Sequence, residues 1–307
     1  MSIGWVGAGV RSRLLLHRRL GRERTLEIAR TPSLREALLG LTGSAYGREL
    51  DPEMSLEHAQ WHVAAATLLH LRVLSGWLPP GSSEFLRALA AWYELANVED
   101  RLAYLHGAEL RPPFDLGGLA SAWPRASRAA TPVELRQALA ASAWGDPGGE
   151  SPEEMHLGLR VSWAERVLAD TPEIRDLVAG ALALLLAREL FVTGRPVELL
   201  LRPPSSAVGS GWAYARTFEA LAEGLPDHAR WVLDGIDGPD QLWRAEVRWW
   251  ARVEHDGTRL LRRSVNDRPG VTGAVLLLAA DAWRTAAALA AAAGGGADLT
   301  EVLRAPR

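Results

Sequence analysis

The stretch Thr31–Gly47, TPSLREALLGLTGSAYG, decides how the chain is read, because much of it returns at Thr131–Gly145 as TPVELRQALAASAWG. Both copies open on Thr-Pro, pass through Leu-Arg and Ala-Leu, and close on Ser-Ala, an aromatic residue and Gly. Each predicts a short capped helix, since Ser33 precedes Glu36 and Thr131 precedes Glu134 by the capping-box spacing. The continuations match as well: a Pro-Glu start (Pro52-Glu53, Pro152-Glu153), then a long helix ending in Arg-Val-Leu at 72–74 and 166–168. A further apolar helix then closes with RLAYLHG at Gly107 or RELFVTG at Gly194. A third, more diverged copy runs from Trp212 to about Ala293. Self-similarity at this scale is the signature of stacked helical units. The expectation is an all-α chain of three similar units at 1–113, 114–203 and 204–293, with boundaries near Pro113 and Pro204 and a flexible tail at 294–307.

The punctuation between these segments supports helices throughout. Ser151-Pro152-Glu153-Glu154 is a third capping box with proline at the first helical position. Asp51-Pro52-Glu53 and Thr171-Pro172-Glu173 are looser starts of the same kind, acidic where the helix dipole favours it. Apolar residues recur at spacings of three and four, as in Leu86, Leu89, Trp92, Tyr93 and Ala96, which predicts one packed face. Strand-like alternation is nearly absent, and Ala, Leu, Arg and Glu are strong helix formers.

Composition removes several function classes. The 307 residues include 48% hydrophobic and 23% charged, the mix of a globular protein. A net charge of -3 gives no global reason to expect nucleic acid. With no cysteine, thiol catalysis and cysteine-held metal clusters are excluded. All 34 basic residues are arginine, so a Schiff-base or phosphate-loop lysine is impossible. The longest apolar runs, LVAGALALLLA before Arg188 and VTGAVLLLAA before Asp281, fall short of the roughly twenty residues a bilayer needs. A soluble, intracellular protein is the expectation.

Candidate chemistry is thin. His58 and His62 stand one helical turn apart in HAQWH, a metal-binding spacing, but Ala59 occupies the place of a catalytic glutamate and no third ligand is evident. Gly7 and Gly9 in GWVGAGVRS lack the strand and acidic residue of a dinucleotide site, so they predict close helix packing. Glu94, Glu99 and Asp100 read as a solvated face pairing with Arg87 and Arg101. Glu254-His255-Asp256 reads as a surface loop or helix end, and Ser210 in GSG is no nucleophile elbow. Thirteen tryptophans are mostly core material. Adjacent Trp249 and Trp250 lie about 100° apart on a helix, so one is expected to face a groove or a partner. The first thirty residues carry seven arginines, Arg11, Arg13, Arg18, Arg19, Arg22, Arg24 and Arg30, against Glu23 and Glu27, a basic segment that reads first as a solvated helix face, with an acidic partner or a headgroup surface as the alternative.

Taken in order, these elements resemble the central-stalk subunit of rotary V-type and A-type ATPases, the one lettered d in eukaryotes and C in prokaryotes. The family's V-R-x-R helix is matched by Gly9-Val10-Arg11-Ser12-Arg13, and its T-x-Y-x-x-x-L ending, more loosely, by LTGSAYGREL from Leu41 to Leu50 around Tyr46. The family's L-x-x-Y-D-x-x-N-L helix is similar to Leu89 followed by Tyr93-Glu94-Leu95-Ala96-Asn97-Val98-Glu99-Asp100-Arg101. The chain departs from the pattern in the second unit, where LALLLAREL lacks the acidic-x-x-Asn pair, and in the last helix, which carries Asp281-Ala282-Trp283-Arg284. The resemblance implies three helical units around a pseudo-threefold axis, funnel-shaped, forming a non-catalytic socket. Its implied partners are the central-stalk subunits and the membrane rotor ring, with no cofactor, no nucleic acid and no membrane span of its own. The implied location is cytoplasmic, peripheral at the membrane through the complex. Tyr93, Asn97 and Arg101 are expected on one structural face, Asn97 buried against backbone, with Arg11, Arg13, Trp249 and Trp250 as contact candidates. A helical enzyme and a generic helical scaffold are the competing classes.

Overall fold

The computed structural model describes residues 4–196, 200, 205–264 and 266–297. Among them are fourteen α-helices and no strand. The chain begins with α1 (Gly4–Leu16), α2 (Arg22–Ala29), α3 (Leu34–Leu41), α4 (Leu56–Ser75) and α5 (Glu84–Leu105). It continues with α6 (Trp123–Ala126), α7 (Pro132–Ala140), α8 (Pro152–Asp170) and α9 (Arg175–Phe191). The last run is α10 (Ser205–Val208), α11 (Phe218–Gly224), α12 (Asp227–Arg230), α13 (Leu242–Arg263) and α14 (Arg268–Ala293). One order of lengths thus occurs three times. A short helix of 8, 9 or 7 residues (α3, α7, α11) precedes a helix of 20, 19 or 22 (α4, α8, α13) and another of 22, 17 or 26 (α5, α9, α14).

The caps explain where these helices start. Ser33 accepts the Glu36 N–H at 3.3 Å, Thr131 that of Glu134 at 3.2 Å and Thr217 that of Ala220 at 3.1 Å, each relieving a first-turn amide. Ser151 and Glu154 complete the reciprocal capping box. The two looser starts are displaced. Asp51 closes a turn onto the Glu53 N–H, and α4 begins later under a Ser55 cap. Thr171 turns its hydroxyl back to the Val167 carbonyl at 2.6 Å, finishing α8, so α9 begins only after a 3-10 turn at Pro172–Ile174.

Two compact units are present. One is Met1–Pro80 with Trp250–Arg307, the other Gly81–Trp249. The first is built on α14, against which α1, α2, α3 and α4 pack, with Ile28, Leu38, Leu41, Val63 and Leu289 in its core. In the second, α5 packs against α6, α7 and α8 around Leu95, Leu102, Leu135, Leu139 and Met155. Within that unit α9 packs on α8, α10, α11 and α12. These cuts fall elsewhere than the repeat boundary near Pro113, because the last helix of a repeat packs on the beginning of the next. The boundary near Pro204 and the tail beyond Ala297 lie outside the described residues. Residues 294–297, expected to be a flexible hinge, are tied down: Gly296 donates to Ala291 O and Ala297 to Ala29 O at 3.2 Å.

Two further expectations change. Of the apolar row Leu86, Leu89, Trp92, Tyr93 and Ala96 on α5, Leu86 is buried and Leu89, Tyr93 and Ala96 are half-buried. Trp92 is 46% exposed, whereas Glu94 and Asn97 are buried among Leu86, Ala91, Leu95 and Val98. Polar residues on an inward stripe shift the apparent periodicity. The run VTGAVLLLAA joins its alanine-rich continuation in α14, which by length and apolarity alone is sufficient to cross a membrane. In this structure α14 is mostly buried in protein, and Asp281 and Arg284 sit buried at its middle.

The crossing of α13 and α14 depends on two glycines. A Cβ on Gly273 would stand 2.6 Å from the Gly257 carbonyl oxygen, and one on Gly257 2.9 Å from that of Gly273. Gly273→Val therefore forces the backbones apart and should lower stability by about 1–3 kcal/mol, read by urea denaturation. An unchanged midpoint would show that the crossing relaxes freely.

Candidate functional site

The most chemically distinctive places in the molecule are two buried carboxylates, each gripping the start of a short helix. The helix α6 has no capping side chain of its own. Its leading amides, Ser121, Ala122 and Trp123, donate instead to Oε1 of Glu94 on α5, at 2.7, 2.8 and 2.7 Å. The other oxygen accepts the indole N–H of Trp144 at 2.7 Å. Glu94 is 0% exposed. A carboxylate out of water is tolerated only when its oxygens are filled, and the positive end of a helix is a suitable partner. Arg166 adds charge nearby, its guanidinium 4.8 Å from the Trp144 ring centre and 3.0 Å from Ser121 Oγ. Burial lowers the pKa of that guanidinium, and the Glu94 charge opposes the shift.

Asp281 on α14 repeats the arrangement. The helix α2 also lacks a capping side chain, having Gly21 at its cap. Leu20 and Gly21 donate to the Asp281 oxygens at 2.9 Å each, and the Tyr46 hydroxyl donates at 2.8 Å. Asp281 is also 0% exposed, with Arg284 Nη2 3.7 Å away. Tyr46 and Trp144 are the aromatic residues of the two Ser-Ala-aromatic-Gly turns, so the repeated turn delivers a donor to a carboxylate. Glu94 stands thirteen residues before Gly107, and Asp281 thirteen before Gly294. That shared register is the one sign of the pair that the sequence carries, and repeat matching alone does not find it.

The same register in α9 falls on Ala181, thirteen before Gly194. Here the aromatic donor is Trp231, whose ring lies against Gly180 so closely that a Cβ there would be 2.7 Å from Cζ2. Its N–H donates to the Asp176 main-chain carbonyl at 3.3 Å.

The residues singled out from the sequence fall around these sites. Asn97 is 1% exposed and exchanges two bonds with the backbone of Phe114, donating at 2.9 Å and accepting at 2.7 Å. Tyr93 packs edge-on to the Phe114 ring at 5.4 Å, and Arg101 donates to Ala129 O at 2.5 and 3.1 Å. All three hold the connection from α5 to α7. The acidic group does not form one solvated face: Glu94 is buried as above, Glu99 pairs with Arg160 and His156, and Asp100 lies 3.7 Å from Arg111. Burial alone would raise the Glu99 pKa, but the bonds from His156 and Arg160 outweigh it and hold the group below its ordinary value.

Trp249 and Trp250 do point apart, yet each has a partner within the protein. Trp249 donates to Leu177 O at 2.8 Å, and Trp250 stacks on Trp283 at 5.2 Å. Glu254-His255-Asp256 is neither loop nor helix end but lies within α13, with Asp256 buried between Arg252 and Arg259. His62 lies 3.7 Å from Glu49 and edge-on to the Trp61 ring at 5.0 Å, and no group of three metal-ligating side chains converges among the described residues. Gly7 meets the Trp77 ring, where a Cβ would be 3.3 Å from it. Arg13 is exposed beside Val6, Val10 and Leu14, an exposed apolar row at spacings of four along α1. Arg11 is half-buried, and its Nε has no hydrogen-bond partner.

No model of a known protein family matches the chain, and no curated protein matches it either.

Three substitutions grade the clasp. Glu94→Ala orphans four donors and should cost at least about 3 kcal/mol, Asn97→Ala about 1–3 kcal/mol and Tyr46→Phe about 1 kcal/mol, all by urea denaturation. Equal losses for the three would contradict this ranking. A separate effect concerns His70, whose pKa is lowered from 6.5 by burial first and then by Arg18 and Arg11, against the pull of Asp281. The unfolded chain then binds a proton that the folded chain refuses, so stability should decline as pH falls below 6.5. Imidazole NMR should show His70 titrating below 6.5, and Arg18→Gln should move that titration upward.

Proposed function

We propose that this chain is a non-catalytic central-rotor subunit of a rotary V-type or A-type ATPase, a socket that links the soluble central stalk to the membrane rotor ring and passes torque between them. The observation that carries the reading is the helical order met three times, with buried carboxylates locking the last helix of one repeat onto the beginning of the next. In this reading the repeats stand around a pseudo-threefold axis as a funnel. The protein is then cytoplasmic, held at the membrane through the complex. Stiffness is what such a part needs: many short charged hydrogen bonds out of water resist deformation better than apolar packing alone. The motifs in Gly9–Arg13 and Tyr93–Arg101, which resemble the family, support the same reading. On α1 the exposed row Val6, Val10 and Leu14, with Arg13 beside it, has the apolar and arginine character of a contact surface.

Affinity-tagged protein purified from native membranes should bring central-stalk and rotor-ring subunits with it, and Val10→Glu/Arg13→Glu on α1 should reduce that recovery. Recovery of no rotary-ATPase subunit, together with turnover of a small molecule by the purified chain, would replace the rotor reading with an enzyme.

A further inference from the structure

Across much of the described surface arginine is matched by a carboxylate: Arg24 by Glu27, Arg136 by Asp146, Arg160 by Glu99. In the second half of α13 the matching runs out. Glu254 is occupied by Arg284 at 2.5 Å, and the buried Asp256 is shared by Arg252 at 2.9 Å and Arg259 at 3.1 Å. Arg262 and Arg263 come next, both exposed, with no carboxylate partner among the described residues, and His255 is exposed as well.

These side chains share a side of the helix. Positions 255, 258, 259 and 262 are separated by three and four, which brings them into line. With Glu254 and Arg263 they line a solvent-open space of about 480 Å³ along this one helix face. Among the described residues every side chain in that lining ends in a polar or charged group, so recognition there rests on charge. A cation would meet three guanidinium groups and one carboxylate already taken. A planar carboxylate is satisfied by a single guanidinium fork, whereas forks one helical turn apart suit an anion with oxygens on several sides.

We propose that this face of α13 binds a phosphate-bearing anion through Arg259, Arg262 and Arg263, with His255 and Thr258 at its margin. The site is independent of the rotor reading and needs no partner protein. A free phosphate compound and the headgroup of an anionic phospholipid offer the same chemistry to it.

The test uses the full chain. Pyrophosphate is titrated while the arginine Nε–H signals are followed by NMR, and in parallel the protein is co-sedimented with phosphatidylcholine vesicles with and without phosphatidylglycerol. The Arg259, Arg262 and Arg263 signals should shift saturably, and Arg262→Gln/Arg263→Gln should weaken binding about tenfold or more. Arg125→Gln/Arg128→Gln removes the same charge from another exposed place and should leave binding unchanged. Circular dichroism checks that both variants keep their helices. Saturable binding in the pyrophosphate arm alone supports a soluble ligand, and binding in the phosphatidylglycerol arm alone supports a headgroup. No saturable binding in either arm, or equal losses in the two variants, overturns the proposal.

Discussion

A carboxylate removed from water has to be given donors on every side, and Glu94 and Asp281 are the points on which the rest of this molecule is arranged. The idealised cost of transferring such an ion to a dry interior is of order 20 kcal/mol, and several kcal/mol remain after relaxation. Nothing flexible could meet that demand reliably. The donors here are backbone amides at helix starts and one aromatic side chain, all fixed by local structure. In return the entry to each helix is held, Leu20 and Gly21 before α2 by Asp281 and the cap residue Ala122 with Trp123 of α6 by Glu94, where neither helix has a capping side chain. Each clasp therefore satisfies two deficits at once, an ion without water and a helix without a cap.

The division into compact units follows from the same contacts. Because Asp281 holds Leu20, Gly21 and Tyr46, α14 is bound to the beginning of the chain as well as to α13 of the repeat it ends. Glu94 does likewise for α5 and the segment from Ser121 to Trp144. Sequence repetition and spatial compactness are thus offset by one helix. The offset is a sequence-distant closure: Asp281 and Leu20 are separated by 261 positions in the chain.

Much of the local structure could be read directly. Ser33, Thr131 and Ser151 cap the helices their spacing implies, and Gly107 and Gly194 have the positive φ of helix-ending glycines. Asn97 sits against backbone because an amide inside an apolar run has few alternatives. The carboxylates were harder. Glu94 stands near Glu99 and Asp100, and a cluster of acids resembles a wet surface unless one knows which side of the helix is covered. Asp281 lies at the edge of a polyalanine stretch and carries no local sign of its partners, which come from the other end of the sequence. Asp256 is different, since its partners Arg252 and Arg259 stand four and three residues away on the same helix, whereas Glu254 meets Arg284 from α14. Local chemistry is written locally, whereas the donors that permit burial of Glu94 and Asp281 come from tens to hundreds of positions away.

The junction at Trp231 shows another way to solve the same problem. Its indole is received by the Asp176 carbonyl, an acceptor that belongs to the main chain. Any residue placed at 176 brings the same oxygen, so this contact carries no dependence on a particular side chain. The Glu94 and Asp281 junctions each rest on one codon. Under mutational drift the first two joints depend on a carboxylate side chain, whereas the Trp231 hydrogen bond does not depend on which side chain stands at 176. At that third joint the acceptor is a main-chain oxygen of α9 itself.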